Sequence, residues 1–296
     1  MKVDSLNSLA AAAAHEPSPI ERDRWRLSGW ISRGQLFAGL LILPCANGLA
    51  ARAIEASREL GWHAVTAGFN VSAIVWLAVL ASLGLVLRTG EEKVKAIDLF
   101  IGAIVLALTA APVPKLSWVA LTLSSIYISR ASPAGSVMQR GSLICLALTA
   151  PMAWGPTLMH AYFEPFQRID ALFVSAITGT DRLGSLVQLA DGSGYLLIAQ
   201  GCSSFHNVSL AMLGWVTTSQ FVGTTHSIYQ QLRWCLLAGA AVLTVNVVRI
   251  SLIALHPSYY DLLHGPVGET VANWISFGLI AGVCYFGVRH DLPARS

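Results

Sequence analysis

The stretch LRWCLLAGAAVLTVNVVRISLIA, residues 232–254, decides what kind of chain this is. Past Arg233 it carries a single charge, Arg249, close to its far end. About 20 apolar residues in a row make an α-helix long enough to cross the hydrocarbon core of a bilayer. A charge inside such a run is costly, so Arg249 stands out as a functional candidate, with snorkelling to the nearby interface as the plainer alternative.

Seven more apolar runs lie on either side: 35–51, 69–88, 97–114, 116–130, 141–159, 203–222 and 270–288. The 296-residue chain is 54% hydrophobic and 12% charged, with mean hydropathy +0.60. A soluble domain carries about 25% charged residues. We expect an all-α polytopic membrane protein of about eight transmembrane helices, with the lipid bilayer as its first partner. A single membrane domain would span 34–290, between a flexible cytoplasmic tail at 1–33 and a cytoplasmic C-terminal tail at 291–296. The late start of the first apolar run argues against a cleaved signal peptide. The net charge of +3 is too small and too scattered to imply a nucleic-acid partner.

Eight spans put both termini on one side, and the distribution of Lys and Arg says which. With the N-terminus inside, 13 of the 19 basic residues fall on cytoplasmic segments. Five fall outside, at Arg52, Arg58, Lys115, Arg168 and Arg182, and Arg249 lies within a span. The positive-inside rule then orients both termini to the cytoplasm.

The sizeable outer segment, 160–202, has two parts. In EPFQRIDALFVSAITG, residues 164–179, Phe166, Ile169, Leu172, Phe173 and Ile177 recur at helical spacing, as in a helix lying in the membrane interface. SLVQLADGSGYLLIA, residues 185–199, reads as two short strands about an Asp191-Gly192-Ser193-Gly194 turn. This hairpin runs almost directly into AQGCSSFHN, residues 199–207, where Cys202 opens the sixth span.

Of the five cysteines, Cys45, Cys145, Cys235 and Cys284 sit within apolar runs, where a thiol behaves as a small hydrophobe. Cys202 alone sits at a polar boundary, and no CxxC-type spacing suggests a metal. On the eight-span topology Cys202, Arg249 and His264 share the outer face. A helix N-terminus favours a thiolate. A permanent cation lowers its pKa further and stabilises an oxyanion. A histidine can protonate a leaving amine and then activate the second nucleophile. Asn246, one turn before Arg249, is placed to orient the guanidinium or the oxyanion, and Ser203 is a neighbouring polar support. His206, four residues after Cys202, is the rival base. His160, His206, His256 and His264 all fall on the outer side, but they form no compact motif, and no metal or cofactor is expected.

These stretches resemble the exosortase/archaeosortase family, polytopic membrane enzymes with a Cys, an Arg and a His in that order on successive C-terminal segments. The matching pieces are GCSS with Cys202, NVVRIS with Arg249 and HGPVG with His264, within about residues 180–270. The pattern departs at Ser204 and Phe205, where the family usually carries a glycine and an aliphatic residue. The resemblance implies a cysteine peptidase or transpeptidase of a bacterial inner membrane. Its substrates would be exported proteins with a C-terminal sorting signal: a motif, a membrane helix and a basic cluster. Cys202 would be the nucleophile, Arg249 the stabiliser and His264 the acid/base, and exopolysaccharide-assembly proteins are expected partners. The competing expectation is a non-catalytic membrane component of exopolysaccharide biosynthesis or export.

Overall fold

A computed structural model of the protein describes residues 31–88, 92–199 and 204–291. The tail read at 1–33 and the one at 291–296 fall almost wholly outside these residues. Each of the eight apolar runs is a helix. In chain order the helices are α1 (Arg33–Leu60), α2 (His63–Thr66), α3 (Ala73–Val86), α4 (Ala96–Ala110), α5 (Pro114–Ala131) and α6 (Val137–Thr149). A π-turn at Ala150–Trp154 joins α6 to α7 (Gly155–Ala161), and α8 is Phe163–Thr178. After three short strands come α9 (Phe205–Val222), α10 (Ile228–Leu255), α11 (Tyr260–His264) and α12 (Pro266–Val288).

The expectation of eight full-length spans is too generous. Among the described residues four helical stretches are long and apolar enough to cross a membrane: Arg33–Leu60, Val137–Ala161, Ile228–Leu255 and Pro266–Val288. Helices α3 and α4 have 14 and 15 residues, or about 21–23 Å at 1.5 Å per residue, short of a ~30 Å core. The apolar runs at 69–88 and 97–114 are longer than the helices they form. At 69–70 the backbone of Phe69 and Asn70 is left-handed, and the chain past Ala110 turns extended ahead of Pro112 and Pro114. Helix α1 departs the other way: it continues beyond its apolar run to Leu60 and carries Arg52, Glu55, Arg58 and Glu59 on its last turns.

Packing follows two cores. The larger joins α1, α3, α4, α5 and α6 around Leu41, Val75, Val105, Leu121 and Ile144, and α9 enters it through Leu210 and Leu213. The second joins α9, α10 and α12 around Trp215, Val242, Ile280 and Cys284. Trp215 is fully buried, its indole N–H donates to Gln231 Oε1 at 2.9 Å, and its ring stacks on Trp234 with centroids 5.5 Å apart. Gly287 of α12 makes room for it: a Cβ there would lie 2.2 Å from the Trp215 ring. Small residues at such crossings let helices approach closely.

One end of the larger core is closed by a buried ion pair. Asp98, in the first turn of α4, has no solvent exposure. It accepts from Arg33 Nε at 2.9 Å and Nη2 at 3.1 Å, from the Tyr127 hydroxyl at 2.6 Å and from the Lys95 amide at 2.8 Å. Arg33 also reaches Glu92 at 3.2 Å and the Ala131 carbonyl at 3.3 Å. The cluster ties α1, α4 and α5 together. Breaking a buried pair from one side strands a charge, which costs about 3–5 kcal/mol, whereas an apolar replacement of both partners is near neutral. We expect Asp98→Ala to lower the unfolding free energy by about that amount in detergent, and Arg33→Met/Asp98→Leu to recover most of it. Thermal unfolding of the two purified variants beside the parent protein checks this.

Candidate functional site around the start of α9

The segment that leads to Cys202 is held from both sides. Strands β1 (Arg182–Leu183), β2 (Leu186–Gln188) and β3 (Tyr195–Leu197) form an antiparallel sheet, with Val187 opposite Leu196. The hairpin read at 185–199 is therefore present, extended by a strand, β1, too short to show as a pattern in the sequence. Its turn forms as the Asp-Gly-Ser-Gly order suggests. Asp191 Oδ1 accepts from the Ser193 hydroxyl at 2.6 Å and the Ser193 amide at 2.9 Å, which holds its carboxyl below the usual carboxylate range. The Ala190 amide donates to the Ala254 carbonyl at 2.9 Å, docking the hairpin on the end of α10.

Helix α8 supplies the other side. Its Ile169, Leu172, Phe173 and Ile177 are exposed. Phe166 turns inward instead and stacks on Phe205 with centroids 4.3 Å apart. The opposite face of α8 is buried and carries Gln167, Asp170, Ala171 and Val174. Ala171 and Val174 pack with Val187, Ile198, Val247 and Ile250, so helix, sheet and the last third of α10 share one small core.

The polar residues of that face grip the chain on both flanks of the cysteine. Gln167 Nε2 donates to the Ile198 carbonyl. Asp170 Oδ2 accepts from the Ser204 amide at 3.0 Å. From α10, Asn246 Nδ2 donates to the Ser204 hydroxyl at 2.9 Å. All four side chains are buried: Gln167 and Asp170 are 3% exposed, Ser204 2% and Asn246 7%. Asn246 thus reaches toward the Cys202 segment through Ser204. The Ser204 hydroxyl is an anchoring point, and Phe205 fills the space beside Phe166.

Cys202 and Ser203 lie outside the described residues, as does the side chain of His206, whose backbone belongs to α9. Arg249 follows Asn246 by three residues on α10, and so lies one turn on along the same face. Its Nε is buried and has no hydrogen-bond partner among the described residues. His264 ends α11 and is exposed, its ring lying flat on Tyr260 with centroids 4.9 Å apart. The glycines of HGPVG fix this turn to α12. A Cβ on Gly268 would meet the Leu263 carbonyl oxygen at 2.3 Å, so only glycine lets α12 start so close behind the histidine. Among the described residues no three His, Cys, Asp or Glu side chains gather as metal ligands. His160 sits on α7, and His256 caps α10 beside Tyr259.

Sequence reading missed Gln167 and Asp170. The signal was there in their spacing, three apart and opposite the apolar face of an amphipathic helix, where a polar pair on the protein side needs buried partners.

Asp170 and Asn246 meet at one residue, so their loss should not add. Each single alanine leaves a buried group of Ser204 unpaired, at about 1–3 kcal/mol. The double variant Asp170→Ala/Asn246→Ala is expected to fall short of the sum by about 0.5 kcal/mol or more in a thermal-unfolding cycle. Strict additivity would mean that the two contacts act independently. No protein-family model, no curated protein and no solved structure matches this chain.

Proposed function

We propose that this chain is a membrane-embedded cysteine peptidase or transpeptidase of the exosortase type. Cys202 is the nucleophile, His264 the general acid and base, and Arg249 the stabiliser of thiolate and oxyanion. The Cys202 thiolate attacks a backbone carbonyl near the sorting motif of an exported protein, and the tetrahedral oxyanion is met by the Arg249 guanidinium. His264 gives its proton to the leaving amine as the C–N bond breaks, leaving a thioester on Cys202. Water or an acceptor nucleophile, deprotonated by His264, then attacks the thioester and frees the thiol. Asn246 and Ser203 support the site, and His206 tunes which substrates are accepted.

A single observation carries the reading. Ser204, two residues after Cys202, is anchored through both its amide and its hydroxyl, while Arg249, one turn beyond Asn246, keeps a buried Nε without a partner among the described residues. A buried guanidinium nitrogen left unpaired is costly, and a nearby anion that forms during a reaction would satisfy it. An anchored backbone suits a nucleophile that must stay within reach of its substrate while the chain around it is loaded. The membrane setting belongs to the same proposal: eight crossings of a bacterial inner membrane, both termini cytoplasmic and the site on the outer side. For α3 and α4 that requires residues beyond the helix ends, or a locally thinned bilayer.

The test is processing of an exported protein that ends in a motif, an apolar helix and a basic cluster, followed by its size on a blot. Cys202→Ala is expected to abolish processing and His264→Ala nearly so, while His206→Ala changes substrate preference. A reversed ranking of the two histidines would move the base to His206, and full processing by Cys202→Ala would overturn the proposal.

Arg249 separates charge from shape. Arg249→Lys keeps the cation but loses the planar fork, so weak activity should remain, whereas Arg249→Ala should lose about two to three orders of magnitude or more. A cation beside a thiolate favours the ionised form, so its removal raises the thiol pKa. The pH midpoint for alkylation of Cys202, in a background lacking the other four cysteines, is expected to rise in Arg249→Ala. An unchanged midpoint would remove Arg249 from thiolate activation.

A further inference from the structure

One sizeable cavity is walled without any residue of α8 or the sheet. It has a volume of about 1560 Å³ and three walls: the last turns of α1, the start of α5, and the π-turn with α7. Apolar and charged residues share these walls. On α1 Gly48 and Ala51 are followed by Arg52, Ile54 and Glu55 and then by Arg58 and Glu59, over about 16 Å at 1.5 Å per residue. On α5 Lys115 precedes Trp118 and Val119, and the third wall runs from Met152, Ala153 and Trp154 to His160.

Burial is deepest at one contact between α1 and α5. Trp118 is 4% exposed and Gly48 is buried, and the two close the floor: a Cβ on Gly48 would lie 2.7 Å from the Trp118 ring. Arg58, Glu59, Lys115 and His160 at the rim are exposed. Arg52 pairs with Glu55 at 3.8 Å, but no ion pair among the described residues engages Arg58, Lys115 or Glu59. A cavity with a dry aromatic floor and a rim of unpaired charges at one end matches an amphiphile, not a uniformly polar or uniformly apolar ligand.

We propose that this cavity binds one glycerophospholipid of the surrounding bilayer, an acyl chain over Trp118 and Met152 and the phosphate at Arg58 and Lys115. Glu59 on the same rim suits the ammonium of an ethanolamine headgroup. The charges decide the headgroup, since two cations converge from separate helices on one opening. The volume exceeds the ~300–1,000 Å³ of pockets for drug-sized molecules, which leaves room for a chain. A peptide helix would fill the length but would leave the rim cations without a phosphate to bind. This inference needs the chain to sit in a membrane and does not depend on Cys202 chemistry.

The experiment is titration of the full-length protein, in an uncharged maltoside detergent, with dioleoyl phosphatidylethanolamine. Binding is read by native mass spectrometry and by the shift in unfolding temperature. The parent protein is expected to retain one phospholipid and to gain thermal stability. Arg58→Gln/Lys115→Gln should bind at least about tenfold more weakly, as expected for losing two charge-assisted contacts. Ala51→Phe, which fills the groove without touching the rim, should lose binding as well. Dioleoylglycerol, with the same chains and no phosphate, should bind weakly to all of them. Equal retention of phosphatidylethanolamine by the parent and both variants would overturn the proposal. Equal binding of dioleoylglycerol and phosphatidylethanolamine to the parent would overturn the role of Arg58 and Lys115. Activity of Cys202 is not part of either readout, so failure here leaves the catalytic proposal standing.

Discussion

The hydrogen bond from the Ser204 amide to Asp170 is the contact on which the architecture around α8 turns. Both groups are almost fully buried, and an unmade bond between them would leave a carboxylate and an amide without water. Satisfying that carboxylate requires α8 to lie across the start of α9. With Asn246 holding the Ser204 hydroxyl, α10 must be there too. The sheet then follows, because Gln167 takes the Ile198 carbonyl and Ala190 takes the end of α10. Gln167 thus holds the chain before residues 200–203 and Asp170 the chain after them.

The same constraint works at Asp98 in the larger core, with a different outcome. Asp98 is also fully buried, but its partners are Arg33 and Tyr127 from neighbouring helices, and the result is a closed ion pair. At Asp170 one donor is the Ser204 backbone amide, and Arg249 on α10 keeps its Nε without a hydrogen bond among the described residues. Asp98 spends its charge on holding helices together. Asp170 instead fixes the backbone at the start of α9.

Helix α8 shows why an amphipathic pattern has to be read from both sides. In a soluble protein the apolar face points to the core and the polar face to water. Here Ile169, Leu172, Phe173 and Ile177 are exposed, while Gln167 and Asp170 point into the protein. Backbone groups of the neighbouring chain segments occupy the buried face. The arrangement also explains the company these polar residues keep: Ala171 and Val174, small and apolar, let α8 approach α10 closely enough for Asp170 to reach Ser204.

What the sequence determined by itself was the helical class, the position of each apolar helix, the hairpin about Asp191 and the exposed face of α8. Each of these rests on local periodicity or turn chemistry, which a short window contains in full. Arg249 and His264 were singled out by residue type and order, and the structure puts them on α10 and at the end of α11. Tertiary structure alone decided the rest. Helix α1 continues past its apolar run to Leu60, and its last turns wall a cavity with α5 and α7. Helices α3 and α4 stop short because left-handed and proline-bound backbone ends them. Gln167 and Asp170 gained their roles from Ile198 and Ser204, which are 31 and 34 residues away. No window of sequence carries such a pairing, since a hydrogen bond between distant segments exists only once packing has brought them into the same dry space.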